Sequence, residues 1–282
     1  MIRLLALDID GTLLDSEGHV PEANVRAVAR AIEAGVMVTL ATGRRFDFAR
    51  PVFEQLPKSL TLILSNGAVV KNRQGETLAR HLLPRHVARD VLRRVPHQRG
   101  DASVTFDRPR EGQVVFEVID WEHPRHHRFF ATNRPYLSEV APLEACLTED
   151  PIQIMFSGAC AEMRGVLELL RAPVNGHGTG TFEVTLTEYV HRDFSLVDVT
   201  RAGCSKGAAL RQLAAQHGFA AHEVMAIGDN LNDLAMLEFA GTPVLMANAL
   251  PELKARDWAV TGSNDEAGVA QAIESFVFGE AS

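Results

Sequence analysis

The sequence predicts an α/β architecture: a doubly wound, parallel-sheet core interrupted by an inserted α+β domain. Three observations predict it. Short apolar runs end abruptly in polar, Gly-containing turns. Amphipathic helical stretches lie between those runs. In the middle of the chain the hydrophobic pattern changes from continuous to alternating, the mark of strands that are buried on one face only.

The elements follow in order. Leu4–Leu7 runs into Asp8-Ile9-Asp10-Gly11-Thr12, residues 36–40 run into Ala41-Thr42-Gly43-Arg44, and Leu60–Leu64 runs into Ser65-Asn66-Gly67. Near the end of the chain, residues 224–227 run into Gly228-Asp229-Asn230-Leu231-Asn232-Asp233, and residues 244–246 into Ala247-Asn248-Ala249. Continuous apolar character marks strands covered on both faces. Residues 21–34 set Val25, Val28, Ala29 and Ile32 on one helical face, with Gly35 as a C-terminal stop. Residues 205–216 and 234–240 read as two further helices. Strand, polar turn, helix, strand is the pattern of an open α/β sheet, where ligands bind beyond the carboxyl ends of the strands.

Residues 102–106, 114–119, 152–156 and 182–187 alternate, with helical candidates at 86–95 and 161–170. The domain boundaries expected from this change are 1–83 for the first part of the core, 84–190 for the insert and 191–282 for the second part. The insert is expected between the third and fourth core strands, with hinges near 82–86 and 188–192. His123, His126 and His127 fall in a Pro-containing polar stretch. It reads first as a solvated loop, with a metal or substrate site as the alternative.

Composition excludes several classes. With 46% hydrophobic residues over 282 positions, there is material for a proper core, so disorder, collagen and coiled coil are set aside. The 28 Lys and Arg against 36 Asp and Glu give a net charge of −8, which argues against nucleic acid as a partner. A small anion remains compatible, because one local site can be positive. Cys146, Cys160 and Cys204 show no C-x-x-C spacing, so neither a disulfide framework nor a zinc site is expected. That usage suits a cytoplasmic location. The apolar N-terminus stops at Asp8, short of a signal-peptide core, and no apolar run reaches membrane-spanning length.

The polar turns carry the chemistry. Asp8 and Asp10, two apart at a strand end, share one side if strand geometry continues. Paired buried carboxylates are costly unless a cation neutralises them, although a solvated Asp-Gly turn is the ordinary alternative. Asp229 adds a third oxygen donor, giving a hard site suited to Mg²⁺. Asp233 reads either as part of that site or as a helix-start acid favoured by the dipole. Thr42-Gly43-Arg44 offers a hydroxyl and backbone amides to an anion, or an ordinary N-cap. Lys206, one of only four lysines, opens a helix, where a cation is disfavoured, so it is either solvated or kept to face an anion. A phosphoryl group bridged to Mg²⁺ satisfies both halves.

These four segments, in this order, resemble the motifs of the haloacid dehalogenase-like hydrolase superfamily. The size and α+β character of the insert resemble the type two cap of its Cof-type sugar-phosphate phosphatase branch. The resemblance implies a Rossmann-like core and a phosphatase of small phosphorylated metabolites that works through an aspartyl-phosphate. It implies Asp8 as nucleophile, Asp10 as general acid and base and as a metal ligand through its carbonyl, and Lys206 as the group that neutralises the phosphoryl oxygens and orients Asp8. Phosphate binding falls to the Ile9 amide, Thr42, Gly43, Lys206 and Asn232. Mg²⁺ binding falls to Asp8, Asp10 and Asp229, with Asp233 in support. Within the insert, Arg108, Arg110, Arg125, Arg128 and the histidines of 123–127 are candidates to meet the leaving group.

Two other readings stay open. A phosphotransferase or phosphosugar mutase would use the same core with a sugar hydroxyl as acceptor, and a metabolite-binding protein would use it without turnover. The expected partner is a small phosphorylated metabolite, without nucleic acid or membrane. The oligomeric state and the natural substrate are not encoded in any readable way. Replacing Lys206 is expected to impair phosphate handling rather than stability.

Overall fold

The computed structural model describes residues 1–172 and 180–279, so parts of the expected ranges 84–190 and 191–282 lie outside the described residues. The chain divides into two compact units, Met1–Arg80 with Cys204–Ser282, and His81–Gly203.

The first unit opens with β1 (Leu4–Leu7), α1 (Glu22–Glu33), β2 (Met37–Ala41), α2 (Phe46–Phe53) and β3 (Leu60–Leu64). Two further strands follow, β4 (Val69–Asn72) and β5 (Thr77–Arg80). They were not expected, and they move the insertion point to after the fifth strand. Both pair antiparallel, β4 with β3 and β5 with β4, so the parallel core sheet carries an antiparallel edge. β5 is mostly exposed, which hides it from any reading based on continuous hydrophobicity.

The second unit comprises α3 (Arg85–Arg94), β6 (Ala102–Thr105), β7 (Val114–Phe116), α4 (His127–Asn133), β8 (Leu137–Glu139), β9 (Gln153–Gly158), α5 (Cys160–Arg171), β10 (Phe182–Tyr189) and β11 (Phe194–Arg201). Its sheet runs β10-β11-β9-β6-β7-β8 and is antiparallel except between β7 and β8. β11 pairs along its whole length with β10 and then with β9. The unit therefore closes after β11, at Gly203, rather than at 190. The hinge expected at 188–192 is instead a hairpin turn inside this unit, completed by Asp193 in the left-handed region at φ 45°. Val104, Ile154, Phe156, Val197 and Val199 form its apolar layer, each fully or almost fully buried.

The chain returns to the first unit with α6 (Lys206–Gln216), β12 (Val224–Gly228), α7 (Leu234–Phe239), β13 (Thr242–Leu245), α8 (Pro251–Lys254), β14 (Ala259–Val260) and α9 (Gly268–Ile273). Its sheet order is β14-β13-β12-β1-β2-β3-β4-β5. Leu4, Ala6, Val224 and Ala226 bury against Leu210, Leu213, Met236 and Leu237 of α6 and α7. Leu5 and Leu7 alternate to the opposite face and are equally buried. Each such aliphatic side chain contributes about 1.5–3 kcal/mol of burial free energy. No helix among the described residues is long and apolar enough to cross a membrane.

Strand order reverses at β1, which has β12 on one side and β2 on the other. Ligand crevices in open α/β sheets form at such a switch point.

Candidate active site

Strand register gathers the polar turns. Leu7 lies opposite both Ile227 and Leu40, and Ala41 lies opposite Ile63. The residues one step further on, Asp8, Gly228-Asp229 and Thr42, therefore emerge side by side at one sheet edge. The Asp8 amide continues the ladder by donating to Ile227 at 3.1 Å. Oxygens of Asp8, Asp229 and Asp233 lie within 4.8 Å of one another, and all three residues are buried. Thr12 Oγ1 donates to Asp229 Oδ1 at 3.1 Å and fixes that carboxylate.

Asp10 behaves differently from the strand-based expectation. β1 ends at Leu7, and residues 9–13 form a tight turn with Gly11 at φ 81°. A side chain at Gly11 would be strained there and would run into the Asp229 carboxylate. The turn gives Asp10 its own partner. Arg44 donates from Nε to Oδ2 at 2.8 Å and from Nη2 to Oδ1 at 2.5 Å, a bidentate fork on a carboxylate that is 31% exposed. Phe48 packs under the guanidinium, 4.6 Å from it.

Lys206 is the first residue of α6, capped by Ser205 Oγ, which accepts from the Ala208 amide. Its side chain is wholly buried, with Nζ 2.5 Å from Asp8 Oδ1 and 2.7 Å from Asp233 Oδ1. Gly207 permits this, because a Cβ there would collide with the Ala235 carbonyl of α7 and hold the two helices apart. The other oxygen of Asp233 accepts from the amides of Asp229 (2.9 Å) and Asn230 (3.1 Å). Asp233 thus ties Lys206 to the loop that carries Asp229, from its place at the start of the helical turn.

Burial first, and the Asp233 carboxylate next, push Asp8 up to about 7 against the pull of Lys206. Burial, then Asp8 and Asp233, raise Asp229 well above the usual carboxylate range. Burial alone depresses the Lys206 ammonium, but Asp233 and Asp8 outweigh it and hold the group above the ordinary lysine value. One buried ammonium therefore serves a pocket of three close carboxylates that remains electrostatically hungry for positive charge. The donors are all oxygen, which fits a hard divalent cation better than a thiolate- or imidazole-seeking one.

Thr42 is buried, and its Oγ1 accepts from the Arg44 amide at 3.1 Å. Gly43 lies against Asn66. Asn66 is a site residue the sequence reading missed. It is 1% exposed, sits at φ 53° next to Ser65 at φ 48°, and accepts from Asn232 Nδ2 at 3.3 Å. Two successive non-Gly residues in the left-handed region are the kind of stored strain that clusters at functional sites. The available signal was the Ser65-Asn66-Gly67 turn after β3, and Asn tolerates this conformation better than most residues. Asn232 Oδ1 is buried with no hydrogen-bond partner among the described residues. Ile9, adjacent to Asp8, is fully buried.

Two of the arginine candidates in the second unit have local partners. Arg108 pairs with Glu149 at 2.7 Å and lies over Phe106, and Arg125 faces Asp193 at 3.6 Å. Arg110 and Arg128 are exposed. His123 and His126 are half-buried and stacked, so the stretch is not simply a solvated loop, while His127 is exposed.

Comparison with known proteins gives the family. The profile of a family described as haloacid dehalogenase-like hydrolase matches residues 5–273. The HMP-PP phosphatase of Serratia proteamaculans (strain 568) is 32% identical over 90% of this chain and 87% of its own length. The pyridoxal phosphate phosphatase YbhA of Escherichia coli (strain K12) is 29% identical over 97% and 98%. The structure of a haloacid dehalogenase-like hydrolase from B. subtilis superposes with a TM-score of 0.81 at 24% identity, covering 98% of this chain and 100% of the other, a likeness of fold. With the ordered motifs at the sheet edge and the match spanning nearly the whole length, the chain belongs to the haloacid dehalogenase-like hydrolase family, as a phosphoric monoester hydrolase.

Proposed function

We propose that this chain hydrolyses small phosphorylated metabolites, sugar phosphates or phosphorylated cofactors, with Mg²⁺ and through an aspartyl-phosphate on Asp8. The observation that carries the reading is Lys206 Nζ, wholly buried and held by Asp8 and Asp233 at the sheet's switch point. A binding protein has no need of a carboxylate aimed at a phosphate. Two relatives support the substrate class, since one is named for HMP-PP and the other for pyridoxal phosphate.

In the first step an Asp8 carboxylate oxygen attacks phosphorus, and the bond from phosphorus to the leaving oxygen breaks. Asp10 gives that oxygen its proton. Water then attacks the aspartyl-phosphate, passes a proton to Asp10, and releases Asp8 and inorganic phosphate. Both oxygens of Asp10 accept from Arg44, so the fork fixes the orientation of that carboxylate. Lys206 and the amides around Thr42 and Gly43 neutralise the equatorial oxygens. Asp8 and Asp229, with the Asp10 carbonyl, would hold Mg²⁺, and Asp233 supports the loop. When bound, Mg²⁺ supplies charge neutralisation and lowers the repulsion between the phosphoryl group and Asp8.

The test is a phosphate-release screen on a metabolite panel with and without Mg²⁺. The reading expects Mg²⁺-dependent release from phosphomonoesters of small polyols or cofactors. Release of no phosphate from any member contradicts it, and transfer to an added sugar in place of release favours the phosphotransferase.

A further inference from the structure

The second unit contains a side-chain cluster that the hydrolytic chemistry does not use. Asp101 immediately precedes β6, and His123 and His126 lie in the turn that leads into α4. Ligand atoms of all three lie within 4.8 Å of one another, and all three residues are half-buried. Successive hydrogen bonds build the turn: the His123 amide donates to Asp120, and the amides of His126 and His127 both donate to the His123 carbonyl. This one-turn spacing stacks the two imidazoles, with ring centres 4.5 Å apart and planes 26° from parallel. His126 is further fixed by Phe130 and Phe194, each with its ring centre 5.7 Å away.

Ser157 gives the His126 ring a polar neighbour. Its hydroxyl donates to the Asp101 carbonyl at 3.3 Å and lies 3.4 Å from His126 Nε2, so one hydroxyl bridges the start of β6 and the His126 ring. A polar neighbour that holds the ring's orientation is the ordinary support of a metal-binding histidine. His123 Nδ1 accepts from the Arg125 amide at 3.2 Å. Ligation through His123 Nε2 moves that ring's proton from Nε2 to Nδ1 and gives up the Arg125 contact, which is exposed and readily replaced by water.

We propose that Asp101, His123 and His126 form a second metal site, for a divalent ion of the imidazole-seeking class such as Zn²⁺, Ni²⁺ or Cu²⁺. Two imidazoles and one carboxylate are a donor set that such ions prefer and that Mg²⁺ does not. The three side chains leave at least one coordination position to solvent. Occupancy ties the turn at 123–126 to the start of β6, segments more than twenty residues apart in the chain. The all-oxygen cluster around Asp8 belongs to a different chemical class, so the two sites separate by metal preference.

Zn²⁺ binding to the full-length protein in excess Mg²⁺ tests this, read by competition with a chromophoric chelator. In a Trp258→Phe background the emission of Trp121, whose ring is 6.1 Å from that of Phe130, reports Ni²⁺ or Cu²⁺ at the site by quenching. The proposal expects one tightly held Zn²⁺ per chain and strong quenching. His123→Gln and Asp101→Asn, both partly exposed and tolerant of substitution, each weaken binding by about tenfold or more. His126→Gln abolishes binding, but its packing also serves the fold, so the first two variants decide. Wild-type Zn²⁺ affinity in both His123→Gln and Asp101→Asn, or no Zn²⁺ uptake by the wild-type chain in excess Mg²⁺, overturns the proposal.

Discussion

The Nζ of Lys206 lies 2.5 Å from Oδ1 of Asp8, a residue 198 positions away in the chain, and both are buried to within 5% of complete. No local interaction produces this pair. It results from β1 and β12 running parallel in register and from α6 closing on α7 at Gly207. The pair sets the orientation of Asp8 before any substrate arrives, and most of the behaviour predicted below follows from it.

Asp8→Asn removes the nucleophilic oxygen while conserving shape. Turnover falls by about 10³-fold or more. The folded state survives, because the substitution also removes a carboxylate that burial makes costly. Steady-state kinetics alongside a thermal melt check both halves, and near-normal turnover in this variant contradicts the assigned nucleophile.

Lys206→Met separates structure from chemistry less cleanly than its position in the sequence suggested. The ammonium is wholly buried between two carboxylates. Its removal leaves them uncompensated, at a cost of about 3–5 kcal/mol. The expectation that stability would be spared therefore gives way to loss of both stability and kcat. Mg²⁺ at saturating concentration recovers part of the stability by mass action and none of the turnover. Chemical denaturation with and without Mg²⁺ measures the first, and kcat at saturating Mg²⁺ the second.

Asp8 stands at about 7, raised from 3.8 mainly by burial. Between these values the folded chain holds a proton that the unfolded chain has released. The resulting stability is full below the unfolded value and is lost as pH rises through about 7. A divalent cation competes with that proton. The Mg²⁺-induced rise in melting temperature is therefore larger at about pH 8 than at about pH 5. Equal rises at both pH values contradict the electrostatic description of the pocket.

Arg44→Lys tests the fork on Asp10. A lysine cannot reproduce two parallel N–H donors. We expect kcat to drop about tenfold with little change in KM, because Asp10 acts in proton transfer rather than in holding substrate. A change confined to KM would move Arg44 from positioning Asp10 to binding the leaving group.

Asn66→Gly and Asn66→Ala differ in a diagnostic way. Both lose the contact to Asn232, but only the alanine must hold a left-handed conformation, at about 1–2 kcal/mol. The alanine variant melts lower than the glycine variant, while both raise KM to similar extents.

Much of this was legible in the sequence, and the gaps have physical causes. Buried strands such as Leu60–Leu64 announce themselves through continuous hydrophobicity, and Lys206 stood out as a cation where the helix dipole disfavours one. The edge strand β5 was hidden because an exposed strand lacks that signature, and β4 because only Val69 and Val70 of it are apolar and buried. A hinge was expected at 188–192, yet residues 190–193 turn a hairpin that pairs Tyr189 with Phe194, because β11 continues the sheet of the insert instead of leaving it. Asp10 was read as continuing the strand, but β1 ends at Leu7 and the turn at Ile9–Leu13 presents the carboxylate to Arg44. Asn66 carried no charge to draw attention, and its role rests on a backbone conformation that becomes visible only in three dimensions.

The central claim is that phosphate passes through a covalent bond to Asp8. Quenching the enzyme with borohydride during turnover on a phosphomonoester, followed by peptide mass mapping, tests it directly. The account predicts that residue 8 is reduced to homoserine only when substrate and Mg²⁺ are both present. Continued phosphate release with residue 8 unmodified, or reduction at a different carboxylate, would contradict it.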